Sequence, residues 1–389
     1  MKTILISLLA GTCFHLFGAG QSWELDPGQF HLNTLPFSAE RVSMTAHGQI
    51  VIQDVWRFYI LDPPGRAEEA QSIREIRFSE IVAEALGLDQ MPVSNLNFIP
   101  QLGLYAVNSL KPGVARLVFV DEEGHFIGQA FDPNQADPFD LYFRQILVVG
   151  DRCFASFWQQ DETLDSQSRH LLEISFRETT EGFELEYHLP KVLSRFDDAD
   201  SLTGMFNQMW LASIQGRYYL SDQVFPLEEK APPIWIYSRD QRGMYREGGY
   251  FNLDLPGFVK KPPKSYEALR AHEPELGRQA LLEAWLYSFS RATSLQDFQG
   301  NLLISYEVPN PSWQPGISSS DDIKKSQHPF LLTLLLTDRD GRPLVKAPVS
   351  LPGAFMAGVH PFNGQIYTFH LSRDSGPQRF QIRWQEDPF

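Results

Sequence analysis

Hydrophobic positions in this chain fall in short runs with a period of two, and six of those runs open on a glycine. They read Gly48-QIVIQ, Gly103-LYAVN, Gly150-DRCFASFW, Gly216-RYYLS, Gly300-NLLISY and Gly364-QIYTFHL. The glycines stand roughly 50 to 85 residues apart, and the path from the last through both termini to the first is about one more interval. A repeat that closes on itself across the chain ends predicts a closed ring of sheets, a β-propeller.

Each glycine suits a tight turn that needs positive φ, with the apolar run as the strand that follows. Matching strands precede the turns: Arg41-VSMTA, Asn95-LNFI, Phe143-RQILVV, Asn207-QMWLASI and Phe355-MAGVH. Before Gly300 the candidate is Ala284-WLYSFS, with Thr293 to Phe298 read as an insertion. A second turn class follows in every copy but the last: Asp62-PPG, Asp121-EEG, Glu178-TTEG, Asp240-QRG and Asp338-RDG. One copy therefore reads as a four-stranded antiparallel meander. The expected fold is all-β, a six-bladed propeller over residues 21–389 in a single domain. The sixth copy lacks an outer strand, and Trp23-ELDPGQFHL is placed to supply it, closing the last blade and hiding its edge.

The two ends of such a ring differ. Short glycine turns fall at one end, while the long segments gather at the other: Gln71 to Pro92, Asp132 to Leu141, Gln159 to Arg169, Pro190 to Met205, Pro256 to Leu282 and Glu307 to Pro329. Elaborated loops on a rigid frame are where recognition usually sits. Two of these segments carry a helical period, Ile73 to Leu86 before Gly87 and Tyr266 to Trp285, and are expected to form short helical insertions on that face.

Residues 1–20 read as a signal peptide, with Lys2, the apolar stretch Ile4 to Phe17 and small residues at Gly18 to Gly20. This implies a secreted or periplasmic protein with no membrane span. A lipoprotein anchor at Cys13 is the competing reading, but Thr12 and Ala10 depart from the usual lipobox. Removing that segment leaves Cys153, read as a small buried apolar residue, so no intramolecular disulfide is available. A net charge of −15 argues against nucleic-acid and anionic-membrane partners, which need basic patches.

Strand, Asp-x-x-Gly turn, strand, with a Gly-led inner hairpin, resembles the six-bladed β-propellers of the NHL and TolB-like superfamily, and most closely its secreted bacterial members. The resemblance implies the fold and leaves the chemistry open, since such propellers include binding proteins, scaffolds, lactonases and lyases. Its lactonase-like members imply a divalent cation held in the channel by Glu, Asp and Asn; candidates at such positions are Asn95, Asn97, Asn207 and Glu283. No acid recurs at one strand position in several copies, and Gly-x-Ser-x-Gly, HExxH, phosphate-loop and CxxC patterns are all missing. The acids Asp197, Asp198 and Asp200 and the pair Asp321–Asp322 lack Ca²⁺-loop spacing and read as solvated surface.

The reading is therefore a binding propeller that takes a protein, peptide or glycan on its long-loop face, monomeric and without an implied cofactor. Candidate contacts are Trp313 in a Pro-rich loop, Asp321, Asp322 and His360. A metal-dependent, lactonase-like hydrolase with a site at the channel mouth is the alternative, and no metal ligand set is assigned.

Overall fold

The computed structural model describes residues 22–25, 42–44, 49–53, 58–61, 73–85, 87, 93–109, 117–131, 142–161, 166–180, 182–196, 209–222, 233–243, 245–259, 271, 281, 285, 287–312, 330–351, 353–359, 364–372, 379–385 and 389. The proposed signal segment and Cys13 lie outside them, as does the Asp62 turn.

In chain order the strands are β1 (Ser22–Leu25), β2 (Val42–Met44), β3 (Ile50–Gln53), β4 (Phe58–Leu61) and β5 (Ile73–Ile76). After the helix α1 (Phe78–Ala85) come β6 (Val93–Ile99), β7 (Leu104–Ser109), β8 (Leu117–Val120) and β9 (Phe126–Phe131). The central part of the chain gives β10 (Tyr142–Val149), β11 (Arg152–Asp161), β12 (Ser166–Thr179) and β13 (Gly182–Phe196). Next are β14 (Met209–Ile214), β15 (Arg217–Asp222), β16 (Pro233–Arg239) and β17 (Tyr245–Asn252). The chain finishes with β18 (Arg291–Phe298), β19 (Asn301–Pro309), β20 (Phe330–Thr337), β21 (Val349–Leu351), β22 (Ala354–Val359), β23 (Ile366–Ser372) and β24 (Arg379–Gln385).

These strands form antiparallel meanders arranged as a β-propeller. First strands of successive meanders lie side by side, β6 by β10, β10 by β14, β14 by β18 and β18 by β22. Apolar side chains pack between neighbouring meanders: Val51, Phe58 and Ile60 meet Leu96, Phe98 and Tyr105, and farther round Ala212, Ile214 and Tyr219 meet Leu302, Ile304 and Tyr306. Second strands are buried on both faces, which is why Ile50, Val51 and Ile52 are consecutive and all buried.

The blade count departs from expectation. The described strands form five sheets, not six separate ones, because β9 and β13 run parallel and pair at Phe183↔Ala130 and Glu184↔Phe131. Both are outer strands of consecutive meanders, and their pairing makes one sheet of eight strands. Phe119 stacks against Phe176 and Phe183 at centroid distances of 5.1 and 4.7 Å, filling the space between the two halves.

The N-terminal strand does pair with the last one. β1 runs antiparallel to β24 with Ser22↔Arg383, Trp23↔Ile382, Glu24↔Gln381 and Leu25↔Phe380, making a four-stranded sheet with β22 and β23.

Among the described residues, helical content is smaller than the sequence suggests. Ile73–Ile76 is the strand β5, paired with β4, and only Phe78–Ala85 is helical, ending at Gly87. Ala83 is buried, and Ile81 reaches the turn between β8 and β9, where a Cβ on Gly124 would meet Ile76 at 3.3 Å and Ile81 at 3.6 Å. The helix fills a gap between meanders instead of projecting from the long-loop face. In the Tyr266 to Trp285 segment only isolated helical positions, 271, 281 and 285, are described.

Two strand assignments also move. The strand before Gly300 is Arg291–Phe298, not Ala284-WLYSFS. Its polar Thr293 and Ser294 are buried, and one partner satisfies both: Thr293 Oγ1 lies 2.8 Å from Ser305 Oγ, which Ser294 also contacts. The supposed Gln159 to Arg169 insertion is mostly a long hairpin, in register from Cys153↔Ile174 to Asp161↔Ser166.

Candidate functional site

The short-turn end of the ring holds a polar pocket. Its first wall is the β10–β11 hairpin, closed by Gly150 (φ 62°) and Asp151 with Val149 paired to Arg152. Side chains alternate along β11, so Cys153 and Phe154 point to opposite sides. Cys153 joins Ile99, Phe119 and Ile146, whereas Phe154 joins Leu147, Tyr218 and Tyr237. Glu173 on β12 sits directly opposite Phe154 and therefore shares the side facing the β14–β17 sheet.

That sheet supplies the second wall. Asp240 organises the β16–β17 turn: its Oδ1 accepts from the Arg242 N–H at 2.9 Å, and its Oδ2 from Arg246 Nε at 2.9 Å. Gly243 has φ 80°, and a Cβ there would lie 3.0 Å from Arg239 Nη2, so glycine is what lets the Arg239 guanidinium lie over the turn.

Glu173 is the centre of the arrangement. Its side chain is 9% exposed and lies between two guanidiniums. Arg152 Nη1 donates to Oε1, and Arg239 Nε stands 3.6 Å from Oε2. Burial works against the Arg152 charge, but the hydrogen bond and charge of Glu173 outweigh it and raise the arginine's pKa. The rings of Phe154, Tyr218 and Tyr245 form an edge-to-face trio, Tyr218 to Tyr245 at 5.0 Å. Burial, followed by the neighbouring Glu173, pushes the Tyr245 hydroxyl's pKa upward. Neither that hydroxyl nor Glu173 Oε2 closes a well-formed hydrogen bond, although both are buried.

Gln101, in the β6–β7 turn, bridges two meanders. Its Nε2 donates to the Asp151 carbonyl, and its Oε1 accepts from the Cys153 thiol at 3.2 Å. Burial, then Asp151 and Glu173, push that thiol up to about 12, so it is a packed, un-ionised group and not a nucleophile. The cavity bounded by Gln101, Asp151, Arg152, Glu173, Ser175 and Arg239 measures about 210 Å³.

Two other polar groups stand out. Asp121, Glu123 and His125 bring ligand atoms within 4.8 Å of one another in the β8–β9 turn. Asp121 is occupied there, accepting from the His125 N–H at 2.7 Å and facing His125 Nδ1 at 2.9 Å. Elsewhere Arg291 and Glu307 form a buried ion pair at 3.3 Å, with the guanidinium 4.3 Å from the Phe330 ring centre. Both groups serve local structure.

Trp313, Asp321, Asp322 and His360 lie outside the described residues, as do Asp197, Asp198, Asp200, Asn207 and Glu283. The Glu173 group went unread in the sequence because its members come from four separate strands and turns, and no local spacing marks them. The nearest signal was a charged residue inside an apolar strand, Glu173 within LLEISF.

No family model matches the chain, and no curated protein matches it in sequence. Solved structures similar to it include the β-1,2-mannobiose phosphorylase of Listeria innocua, at 10% identity and TM-score 0.33, covering 94% of this chain and 97% of that one. The GH43 endo-arabinanase of Bacillus licheniformis is similar at 9% identity and TM-score 0.32 over 86% and 91%. Drosophila Semaphorin 2a is similar at 8% identity and TM-score 0.35 over 94% and 76%. Likenesses this distant carry no argument about what the chain binds or does.

Proposed function

We propose that this chain is a binding propeller and that the pocket around Glu173 is a ligand site for a small polar molecule. One observation carries the reading: a buried carboxylate between two guanidiniums has an oxygen without a well-formed hydrogen bond at the wall of a preformed polar cavity. Recognition fits this chemistry better than catalysis, since the thiol is un-ionised and the carboxylate is tied to Arg152. The long-loop face, with Trp313, Asp321, Asp322 and His360, is kept as the surface for a protein, peptide or glycan partner. Its support is the contrast between two-residue turns such as Gln215-Gly216 and Gln299-Gly300 and the long connections opposite them.

The eight-stranded sheet is taken as two fused blades, giving a six-bladed ring of the NHL and TolB-like kind. The support is that each half is a complete four-stranded meander and that the halves share two residue pairs. Secretion, argued from residues 1–20, belongs to the same proposal.

The test is a thermal-shift screen of the purified protein against small anions, cations, zwitterions and neutral polyols at millimolar concentration. Stabilisation that Arg239→Ala removes supports the site. Hits indifferent to both Arg239→Ala and Glu173→Gln overturn it.

A further inference from the structure

Resting on that reading of the pocket, we infer that its ligand is a neutral polyhydroxylated molecule, a sugar or polyol, recognised by Glu173 and Arg239 together. Glu173 Oε2 is buried, and with Arg239 Nε at 3.6 Å and the Tyr245 hydroxyl as its neighbours it lacks a well-formed hydrogen bond, which leaves part of its desolvation cost unrecovered. Four formal charges surround the cavity, Arg152 and Arg239 against Asp151 and Glu173, and they cancel. A cationic donor would approach two guanidiniums to reach Oε2. An anion would meet two carboxylates on a chain whose net charge is −15. Like-charge approach is penalised in both cases.

A hydroxyl group avoids both penalties. It donates a proton and accepts one at the same oxygen. Glu173 Oε2 is closed to solvent while Arg239 Nε stands 3.6 Å from it, so a hydroxyl donates to the carboxylate and accepts from the guanidinium once the Arg239 side chain, 36% exposed, swings aside. The Arg239 guanidinium closes no hydrogen bond to the described residues and presents several N–H groups in a planar fork, matched to adjacent hydroxyls. Gln101 is committed to Asp151 and Cys153, so it walls the cavity and does not read the ligand. The Tyr245 hydroxyl, also buried and short of a well-formed hydrogen bond, neighbours the same carboxylate. At about 210 Å³ the cavity far exceeds the space that one water requires, which is about 10–15 Å³.

The experiment is ligand-observed saturation-transfer NMR with calorimetry on the whole protein, in four arms. The first holds free neutral monosaccharides and alditols, the second neutral oligosaccharides, the third methylammonium and the fourth acetate and phosphate. Saturable binding is expected in the first or second arm, and which one responds separates free sugar from a glycan end. Affinity should fall at least tenfold in Arg239→Ala and in Glu173→Gln, with circular dichroism confirming that each variant folds. If Glu173→Gln fails to fold, the half-exposed Arg239→Ala carries the test. Pocket-dependent binding of the cation or the anions, with none of neutral hydroxyl compounds, overturns this inference and leaves the ligand site standing. Absence of any binding sensitive to the two variants means that the cavity holds water only, and overturns both.

Discussion

Deleting residues 21–33 should open the ring. β1 contributes four residue pairs to β24, from Ser22↔Arg383 to Leu25↔Phe380. An antiparallel ladder of that length carries about four backbone hydrogen bonds, and at a net ~0.5–1.5 kcal/mol each the loss is about 2–6 kcal/mol. Native domains hold only about 5–15 kcal/mol in total. The deletion also bares the β24 edge, a template for pairing with another chain. Urea unfolding followed by tryptophan fluorescence should show a lower midpoint, and static light scattering should show association at concentrations where the full chain stays dispersed. A synthetic peptide of residues 21–33 added in trans should restore part of the midpoint and suppress the scattering. A truncated protein with an unchanged midpoint and no scattering would refute the seam, because it would mean that the four pairs contribute nothing to closure.

Glu173→Ala strands two arginines; breaking a buried pair costs ~3–5 kcal/mol, reduced to about 2–3 here because Arg152 is 27% exposed and can turn to water. Arg152→Met with Glu173→Leu should recover most of that loss in urea melts, and a double variant weaker than the single would be evidence against the ion-pair account. Cys153 should resist iodoacetamide at pH 8 in the folded protein and react readily in urea. Its folded pKa is raised from 9.0 to about 12, so its stability contribution is present below the unfolded value and lost as pH rises from there toward 12; rapid labelling of folded protein would contradict this. A Cβ on Gly358 would collide with the hydroxyl of fully buried Tyr367 across β22 and β23, so Gly358→Ala should cost ~2–4 kcal/mol and Tyr367→Leu should relieve part of it. Additive effects in that cycle would refute the contact.

The architecture was legible because its punctuation is local. Glycines with positive φ, such as Gly103, Gly150 and Gly364, mark hairpins whatever the rest of the fold does. At Gln215-Gly216 and Gln299-Gly300 both turn residues have positive φ, the geometry of a two-residue hairpin. Misreadings came where a long-range partner overrode local character. Thr293 and Ser294 look like loop residues until Ser305 satisfies their hydroxyls. Ile73–Ile76 fits a helical period until β4 offers it a ladder. The fusion of β9 with β13 depends on two residue pairs between distant segments, for which no window of sequence gives a signal. The Glu173 pocket is the extreme case, since Gln101, Arg152, Glu173 and Arg239 meet only after the sheets have docked.

The register of the seam also decides how the molecule responds to force. Ser22, the first residue of β1, pairs with Arg383 near the end of β24, so the two chain ends leave the sheet from the same side. Tension applied between the termini therefore loads the β1–β24 hydrogen bonds one after another, as a zipper opens, and not in parallel as in a sheared pair. An unfoldase or an export channel that grips either end would peel β1 away at low force. The next sheet edge would then be exposed while the eight-stranded sheet on the other side of the ring was still whole. Thermal closure and mechanical closure thus part company here: the contact that seals the ring at rest is also the first to yield under load.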